Sequence, residues 1–592
     1  MERLSVAAIA AEVRSGRRTA EDVAQESLTR IGAYDEVQPQ AWIEKSKASD
    51  VLDAARRVDA RVAAGEDLPL AGVPFAVKDN IDVAGLPTTA ACPAYAYVPD
   101  ETATVVARLQ AAGAVLMGKT NLDQFATGLV GSRTPYGVPG CVFNRDYVSG
   151  GSSSGSAVAV GAGLVAFALG TDTAGSGRVP AAFNGLVGLK PTKGSWSTSG
   201  LVPACRSLDC ITVFTATATD AALVDSVAAG FDGADPYSRE QGPAAPALGP
   251  AFRMGVPRLD QLNYMGDGAS ERLYDQAIAR LAATGATLVE VDIAPLLEAA
   301  QLLYAGPWVA ERTAALEDLL RTRPSAVHPV VRAIVQTGFG VSGVETFKGL
   351  YALQDHARDA QALWESIDVL LLPTAPTIYR ISEVLAEPFA LNANLGLYTN
   401  FVNLLDMSAI AVPAGYRDNG TGFGVTLIGP AWADAALLDL ARRYEEIHPM
   451  PAAPELDTTG KPQTVKLSVV GAHLAGMPLH WQLTSRDARL VARTRTASAY
   501  RLYAMAETTP PKPALIHVGD DEGAAIEVEV YELDLAGFGS FTAEVPAPLA
   551  IGTVSLEDGT TVKGFVAEPR ALAGATDITH LGGWRAYIAS LA

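Results

Sequence analysis

The sequence predicts an α/β fold for most of the chain, followed by a smaller α+β domain. Segments with helical periodicity alternate with short apolar segments between residues 48 and 120, as in α/β proteins. The chain has 592 residues, which is too long for one hydrophobic core, and a polar stretch rich in proline and threonine occupies residues 451–464. We therefore expect a large domain over residues 1–450, a linker over 451–464 and a second domain over 465–592.

Composition limits the classes of function. Apolar residues make up 49% of the chain and charged residues 19%, which favours packed cores over disorder. The net charge of −20 argues against a surface that binds nucleic acid. The four cysteines are too few for a disulfide framework, and the chain contains no Cys-x2-Cys or His-Glu-x2-His spacing. We expect no metal, free thiols and a reducing, cytoplasmic location.

Two features argue against a membrane partner. The N-terminal stretch MERLSVAAIAAEVRSGRRT has a short apolar part followed directly by charged residues, which is not typical of a signal peptide. The longest apolar run, residues 157–169, contains glycines and is shorter than the roughly 20 residues that span a bilayer.

The first elements place a lysine at the end of a strand. Residues 1–66 are predicted to be helical, with Thr19 and Asp22 resembling a capping box. Residues 73–77 form an apolar run typical of a buried strand, and Lys78 follows it. Such a lysine is either a snorkelling surface residue or a functional amine. Residues 114–117 predict a second buried strand, and we expect Lys119 after it to form an ion pair at the surface or in a loop.

The most informative stretch is residues 148–193. Two Gly/Ser clusters, 150–156 and 171–178, lie on either side of an apolar segment, and clustered glycines indicate special backbone angles or close approach of the backbone to another group. Neither cluster has the lysine of a phosphate-binding P-loop. The first histidine of the chain is His328, so a Ser-His-Asp triad is not indicated. If a serine here is a nucleophile, a buried lysine is the chemical alternative as its base.

Three sequence blocks, in order, resemble the amidase signature family: VPFAVKDN from residue 73, GGSSSGSA from 150 and GTDTAGSGRVPAAFNGLVGLKPT from 170. The resemblance implies a mixed central sheet flanked by helices and a reaction without cofactor. It implies Ser176 as the nucleophile, Ser152 as a bridging serine after a cis peptide bond, and Lys78 as the base. It also implies an oxyanion hole of backbone N–H groups from Thr173, Ala174, Gly175 and Ser176, where Ala174 replaces the usual glycine.

A second functional stretch lies at residues 296–320. It is helical on both sides of Gly306-Pro307, and the break lies near Tyr304 and Arg312. From the residues alone, Arg312 pairs with Glu311 or another surface acid. The Tyr-x7-Arg spacing resembles the allophanate hydrolase branch, which implies that Tyr304 and Arg312 recognise the substrate carboxylate. Residues 125–137 also resemble that branch, and Gly128 falls on its substrate-contacting glycine, although a plain turn is the alternative.

The second domain has a different pattern. We expect strands at 465–470, 526–533, 538–545, 553–556 and 562–565, and a helix at 493–505. The domain resembles the C-terminal domain of allophanate hydrolases, and residues 469–479 more distantly resemble γ-glutamyl cyclotransferase-like folds. The resemblance implies decarboxylation with the help of a histidine. We favour His473 over His480 because glycines flank its loop, but a structural role for either stays open.

Arginines are concentrated in one part of the second domain. They are Arg486, Arg489, Arg493, Arg495 and Arg501. This basic stretch is either a solvated helix face or a receptor for a small dianion.

The resemblance therefore leads to two hypotheses. In the first, the chain hydrolyses allophanate to N-carboxycarbamate and ammonia, and its second domain removes carbon dioxide; the pathway, urea or s-triazine degradation, stays open. In the second, the chain is another amidase of the family, a general amidase or one component of a transamidosome, with a non-catalytic binding or assembly module. The partner is a small molecule in the first hypothesis, and a homodimer is the default assembly.

Overall fold

The computed structural model describes residues 3–447, 452–458, 464–486, 488–506, 508–519 and 522–591, without the side chains of 534–536. The chain divides into two compact units, Met1–Thr459 and Gly460–Ala592. The predicted linker lies partly outside the described residues, at 451 and 459–463. Its described part contacts the first unit, since Leu456 packs against the core and the Arg145 N–H donates to Asp457 at 3.0 Å.

The first unit is built on an eleven-stranded mixed sheet with the order β1-β3-β2-β6-β8-β7-β12-β13-β11-β9-β10. These strands are β1 Trp42–Lys45, β2 Pro74–Lys78, β3 Val115–Thr120, β6 Phe167–Asp172, β7 Val187–Lys190, β8 Cys210–Thr215, β9 Phe252–Pro257, β10 Ala286–Val291, β11 Val369–Pro373, β12 Ser408–Tyr416 and β13 Gly422–Gly429. The short strands β4 Gly140–Cys141 and β5 Asn144–Val148 pair separately. The α/β prediction is confirmed for this unit.

Helices flank this sheet. Within the described residues they are α1 Val6–Arg14, α2 Ala20–Asp35, α3 Ala48–Ala63, α4 Thr104–Ala111, α5 Ser154–Gly161, α6 Val179–Phe183, α7 Ala218–Ala228, α8 Gly268–Ala282, α9 Ala294–Ala305, α10 Trp308–Thr322, α11 Pro329–Gln336, α12 Gly343–Ser366, α13 Ile381–Ala386, α14 Ala390–Leu395, α15 Phe401–Leu404 and α16 Asp434–Ile447. Their boundaries follow local chemistry: the Thr19 hydroxyl accepts the Asp22 N–H at the start of α2, and Gly306-Pro307 separates α9 from α10.

The register of two neighbouring strands brings the Gly/Ser clusters to the lysine. Strands β2 and β6 are parallel, with Val77 opposite Leu169, so their carboxyl ends meet at one edge of the sheet. Helix α5 is buried on all sides, which explains why the segment between the clusters is apolar and made of small residues. Both clusters therefore begin or end at the edge where Lys78 lies.

The second unit is smaller and rich in strands. Its five-stranded sheet has the order β15-β18-β14-β20-β19, and a three-stranded sheet has the order β17-β16-β21. The strands are β14 Thr464–Val469, β15 Arg489–Arg495, β16 Tyr500–Ala504, β17 Pro513–His517, β18 Glu527–Asp534, β19 Leu549–Ser555, β20 Thr561–Ala567 and β21 Thr576–Asp577. The described helices are α17 Trp481–Thr484, α18 Leu535–Ala543 and α19 Trp584–Ser590.

Two element predictions in the second unit are wrong. The helix predicted at 493–505 is instead the end of β15, a turn and β16, because β15 pairs antiparallel with β18 and this pairing outweighs the helical spacing of a few small residues. The strand predicted at 538–545 is helix α18 up to Ala543. Its two phenylalanines, Phe538 and Phe541, are three residues apart and both pack on the core.

The arginine-rich stretch is a set of paired side chains. Arg486, Arg489 and Arg493 form ion pairs with Glu544, Glu532 and Glu529 at 2.6, 2.6 and 3.0 Å. Arg495 and Arg501 donate to backbone carbonyls. The solvated helix face is wrong, because this stretch is not helical. The receptor for a small dianion stays a prediction, with Arg486, Arg489 and Arg493 already paired to carboxylates.

Candidate active site

Lys78 is a buried amine. It ends β2 and has no exposed surface, so the snorkelling alternative is wrong. Its Nζ donates to the Ser152 Oγ at 2.7 Å and to the Thr171 Oγ1 at 2.6 Å. Burial lowers the pKa of Lys78 from 10.5 to about 7, although the carboxylates of Asp123, Asp209 and Asp172 oppose this shift. A lysine with this pKa is partly neutral at physiological pH and can accept a proton.

The loop that carries Ser152 is fixed by its neighbours. The Gly151–Ser152 peptide bond is cis. The Asp123 N–H donates to the Ser152 carbonyl at 3.0 Å, and the Gly151 N–H donates to the Leu129 carbonyl at 2.8 Å. A side chain at Gly151 would collide with the Asp123 carboxylate, so only glycine fits before Ser152. These contacts hold the Ser152 hydroxyl against Lys78.

The Ser176 hydroxyl donates to the Gly128 carbonyl at 3.4 Å. The loop around it is held by Asp172 at the end of β6. This carboxylate accepts the Gly175 N–H at 2.7 Å and the Gly177 N–H at 3.1 Å, and forms a two-bond pair with Arg178 at 2.9 Å for each bond. The loop is thereby rigid, as preorganised electrostatic catalysis requires.

The predicted oxyanion hole needs one correction. The Gly175 N–H is engaged by Asp172, so it is not available to a substrate. Within the described part of the chain, the N–H groups of Thr173, Ala174 and Ser176 have no backbone or side-chain acceptor. Three backbone N–H groups without an acceptor among the described residues therefore remain in the loop that carries Ser176.

Asp209 supports the other end of this loop. It accepts the Thr173 hydroxyl and the N–H groups of Ala204 and Cys205. Burial raises the pKa of Asp209 to about 6, although these hydrogen bonds oppose the shift.

Arg312 is a buried cation behind an aromatic ring. It is 2% exposed, its Cζ lies 5.3 Å from the centre of the Tyr304 ring, and its Nη1 donates to the Thr127 Oγ1 at 3.2 Å. Glu311 instead accepts the N–H and hydroxyl of Ser207, so the predicted surface pairing with Arg312 is wrong. Across the described ranges Arg312 forms no salt bridge. Gly128, whose carbonyl accepts the Ser176 hydroxyl, directly follows Thr127 in the chain. Arg312, which contacts Thr127, is therefore near Ser176.

Other buried polar residues complete the centre. Lys119 forms the predicted ion pair, with Asp79 at 3.2 Å, but in the interior and not at the surface.

Four residues that hold Lys78 and the two loops were not predicted from the sequence: Thr171, Asp172, Asp123 and Asp209. One feature of the sequence indicates that a carboxylate holds the Ser176 loop. Asp172 directly precedes this glycine-containing loop and lies six residues before Arg178.

In the second unit, His473 lies at a cavity of about 260 Å³ that also contains Gln482, Lys512 and Phe565. Its Nε2 lies 2.7 Å from the Gln482 Oε1, and its ring stacks on Phe565 at 5.0 Å. Burial lowers the pKa of His473. His480 does not line this cavity; its Nε2 lies 3.0 Å from the Tyr531 hydroxyl.

Three further observations concern the described residues only. They contain no group of three or more His, Cys, Asp or Glu side chains placed to hold a metal ion. All four cysteines are buried free thiols. No helix among them combines the length and apolarity that crossing a membrane requires.

Comparison with known proteins identifies relatives of both units. The family model described as Amidase matches residues 22–438, and the model described as Allophanate hydrolase C-terminal domain matches residues 465–589. The urea amidolyase of Saccharomyces cerevisiae is 44% identical over 577 residues, which is 93% of this chain and 31% of the relative. The chain thus spans about a third of the length of that relative.

Two solved structures match different shares of the chain. The structure of Kluyveromyces lactis allophanate hydrolase is 43% identical with a TM-score of 0.70, and the match covers 98% of each chain. The structure of the native peptide amidase from Stenotrophomonas maltophilia is 27% identical with a TM-score of 0.63, and the match covers 76% of this chain and 98% of the peptide amidase.

Proposed function

The chain belongs to the amidase family, and on that premise we propose that it is an allophanate hydrolase working in two steps. Residues 1–450 hydrolyse the terminal amide of allophanate, which yields N-carboxycarbamate and ammonia. Residues 465–592 promote the loss of carbon dioxide from that product. The observation that carries the proposal is a buried arginine without an acidic partner in the described chain, close to a serine–lysine centre, in a protein that also has an allophanate hydrolase C-terminal domain.

The proposed first step is supported by the hydrogen bond between Lys78 and Ser152 and takes Ser176 as the nucleophile. Neutral Lys78 accepts the proton of the Ser152 hydroxyl, and Ser152 accepts the proton of Ser176, whose Oγ attacks the amide carbon. The free N–H groups of Thr173, Ala174 and Ser176 stabilise the oxyanion, and such a donor is typically worth about 3–4 kcal/mol. The relay then returns a proton to the leaving nitrogen as the C–N bond breaks. Water attacks the acyl-enzyme by the same route and releases N-carboxycarbamate.

Substrate selection rests on Arg312 and Tyr304. A planar guanidinium suits a two-bond contact with a carboxylate, and the Tyr304 hydroxyl supplies a third donor. Because Arg312 is buried and has no salt bridge within the described residues, its charge is available for the carboxylate of allophanate. Packing requires glycine at position 128, since a side chain there would collide with the Asp123 carboxylate. The Gly128 carbonyl accepts the Ser176 hydroxyl, so we propose that this residue borders the substrate.

Replacing Arg312 by glutamine tests the substrate assignment. We expect kcat/KM for allophanate to fall about 100-fold, since hydrogen bonds to a charged partner contribute about 1.5–3 kcal/mol each. Ammonia release is measured with allophanate and, in parallel, with acetamide. The matched control is Arg321→Gln, on the same helix but exposed and paired with Glu317. If acetamide is turned over as well as allophanate and Arg312→Gln changes neither rate, the substrate assignment is wrong.

The second step requires a proton at nitrogen. The bond between nitrogen and one carboxylate carbon breaks, that carboxylate leaves as carbon dioxide, and the electron pair stays on nitrogen, which takes a proton. His473 lines the cavity of its unit and is oriented by Gln482, so we propose that it moves this proton. His480 does not line this cavity, so the proposal gives the proton transfer to His473.

For His473→Asn we expect the first ammonia to be released at nearly the normal rate, while N-carboxycarbamate accumulates at least about tenfold above the wild-type level. Carbon-13-labelled allophanate followed by NMR reports the intermediate and carbon dioxide separately. His480→Asn is the control and is expected to behave like the wild type. Unchanged decarboxylation in His473→Asn would remove His473 from this role and would fit a C-terminal module without chemistry.

The assembly and location remain parts of the proposal. Twofold dimers are the commonest homo-oligomers, and we propose a homodimer on that ground. The buried free thiols support a reducing, cytoplasmic compartment.

A further inference from the structure

A cleft of about 500 Å³ lies next to the Arg312 side of the amidase site. Its walls come from α9, α10, α11 and α14 and are largely apolar, with Leu297, Val309, Ile334 and Leu397 among them. Tyr304, whose ring covers Arg312, is also part of the wall. The volume lies within the range of roughly 300–1,000 Å³ that is typical of small-molecule sites.

The cleft also contains a buried charge, Arg133. This side chain is 2% exposed, and it lies in the loop that precedes the first Gly/Ser cluster. Its Nη1 donates to the Thr127 carbonyl at 2.9 Å and its Nη2 to the Pro388 carbonyl at 2.7 Å. Its Nε has no hydrogen-bond acceptor in the parts of the chain that the structure describes. Arg133 also forms no salt bridge there. The nearby Asp123 carboxylate accepts backbone N–H groups, including that of Arg133 itself.

A buried N–H without an acceptor costs about 1–3 kcal/mol, and an acceptor supplied by a ligand would offset that cost. Arg133 thus has an Nε without an acceptor among the described residues, forms no salt bridge there, and borders a largely apolar cleft. These are the features of a site for an anion attached to an apolar body.

Arg133 is distinct from Arg312 although the two are linked. Both contact Thr127, Arg133 at the backbone carbonyl and Arg312 at the hydroxyl. Arg133 lines the cleft, whereas Arg312 does not. The cleft therefore offers, beside Tyr304, a cation other than Arg312.

We propose that this cleft binds an organic carboxylate with an apolar body, whose carboxylate contacts Arg133 and whose body lies against the apolar walls. The inference goes beyond the proposed function and does not depend on turnover. Because Tyr304 is shared by the cleft and the Arg312 site, an occupant of the cleft lies directly against the residue that covers the substrate cation.

The test is calorimetric titration of the full chain with hydrocinnamate and with its uncharged counterpart, hydrocinnamyl alcohol. On the wild type we expect saturable binding of hydrocinnamate at least about tenfold tighter than that of the alcohol, which corresponds to one charge-assisted contact. This comparison needs no substitution, so it stays decisive even where a variant folds poorly.

Variants then locate the site. Arg133→Gln is expected to remove the preference for the carboxylate, and Arg133→Lys to retain part of it. Ala393→Phe, at an exposed position of the cleft wall, is expected to weaken both ligands by narrowing the cleft. Arg312→Gln is expected to weaken hydrocinnamate less than Arg133→Gln does, because Arg133 lines the cleft and Arg312 does not.

Three outcomes would overturn the proposal: no saturable binding, equal affinity for the acid and the alcohol, or a preference that survives Arg133→Gln and disappears in Arg312→Gln. The last would place the carboxylate in the amide site. None of these outcomes depends on whether allophanate is the substrate, because no turnover is measured.

Discussion

Ser176→Ala is expected to abolish ammonia release from allophanate, with a loss of about 10⁶-fold in kcat, as seen when the nucleophile of a serine hydrolase is removed. Without the Ser176 Oγ no acyl-enzyme forms. The Ser152 hydroxyl is 2.7 Å from the Lys78 amine and is held there by its loop, so we expect that it does not replace the nucleophile. Ammonia is measured under saturating allophanate, with protein concentration high enough to detect the residual rate.

The control for this variant is Ser154→Ala. Ser154 is buried in the same Gly/Ser cluster, and its hydroxyl makes a long 3.4 Å hydrogen bond to the Asn121 carbonyl. We expect its rate to stay within about tenfold of the wild type, because such a hydrogen bond contributes only about 1 kcal/mol. Hydrolysis that survives in Ser176→Ala, or falls equally in Ser154→Ala, would remove Ser176 from its proposed role.

The sequence predicted the elements of the centre better than their supports. An apolar run that ends in a lysine predicts a strand with Lys78 at its edge, and two glycine-rich clusters predict loops close to other backbone. The contact of the Thr171 hydroxyl with Lys78 depends on the register of β2 and β6, which lie about 90 residues apart in sequence. Hydrophobic periodicity carries no information on such pairing, so Thr171 and Asp172 were not found.

In the second unit, the sequence also failed to predict some helices and strands, because these depend on tertiary contacts. Strand β15 is predicted poorly because its stability comes from cross-strand contacts, such as Arg489 with Glu532 and Arg493 with Glu529, and not from local preference. Conversely, Phe538–Ala543 of α18 has aromatic and β-branched residues that favour a strand locally, while the core selects a helix. Tertiary contacts decide in both cases.

Lys78→Met is expected to reduce kcat/KM for allophanate by about 10⁴-fold, the upper range for loss of a general base. It is also expected to make the fold more stable at pH 7. The lysine pKa is lowered from 10.5 to about 7 by burial, so between these values the unfolded chain binds a proton that the folded chain does not. A buried methionine removes this penalty, which is of order a few kcal/mol, although the hydrogen bonds to Ser152 and Thr171 are lost with it.

The effects of Lys78 on activity and on stability both depend on pH. The base must be neutral, so wild-type kcat/KM should rise as pH increases through about 7 and be lost below it. Wild-type stability should also rise with pH between about 7 and 10.5, and the stability gain of Lys78→Met should shrink over that same window. Thermal melting of both proteins from neutral to alkaline pH, beside the pH profile of ammonia release, measures the two trends.

Lys119→Met is the matched control, since Lys119 is another buried lysine on the adjacent strand, where it lies opposite Val77. Its amine pairs with the buried Asp79 at 3.2 Å, so removing it leaves an uncompensated carboxylate and should destabilise the fold by about 3–5 kcal/mol. Lys78 is therefore expected to lower the stability of the fold and to be required for catalysis. Lys119 is expected to stabilise the fold and not to be required for catalysis. If both variants lower the melting temperature at pH 7 and the activity profile has no rise near pH 7, Lys78 is a structural cation and the proposed base is wrong.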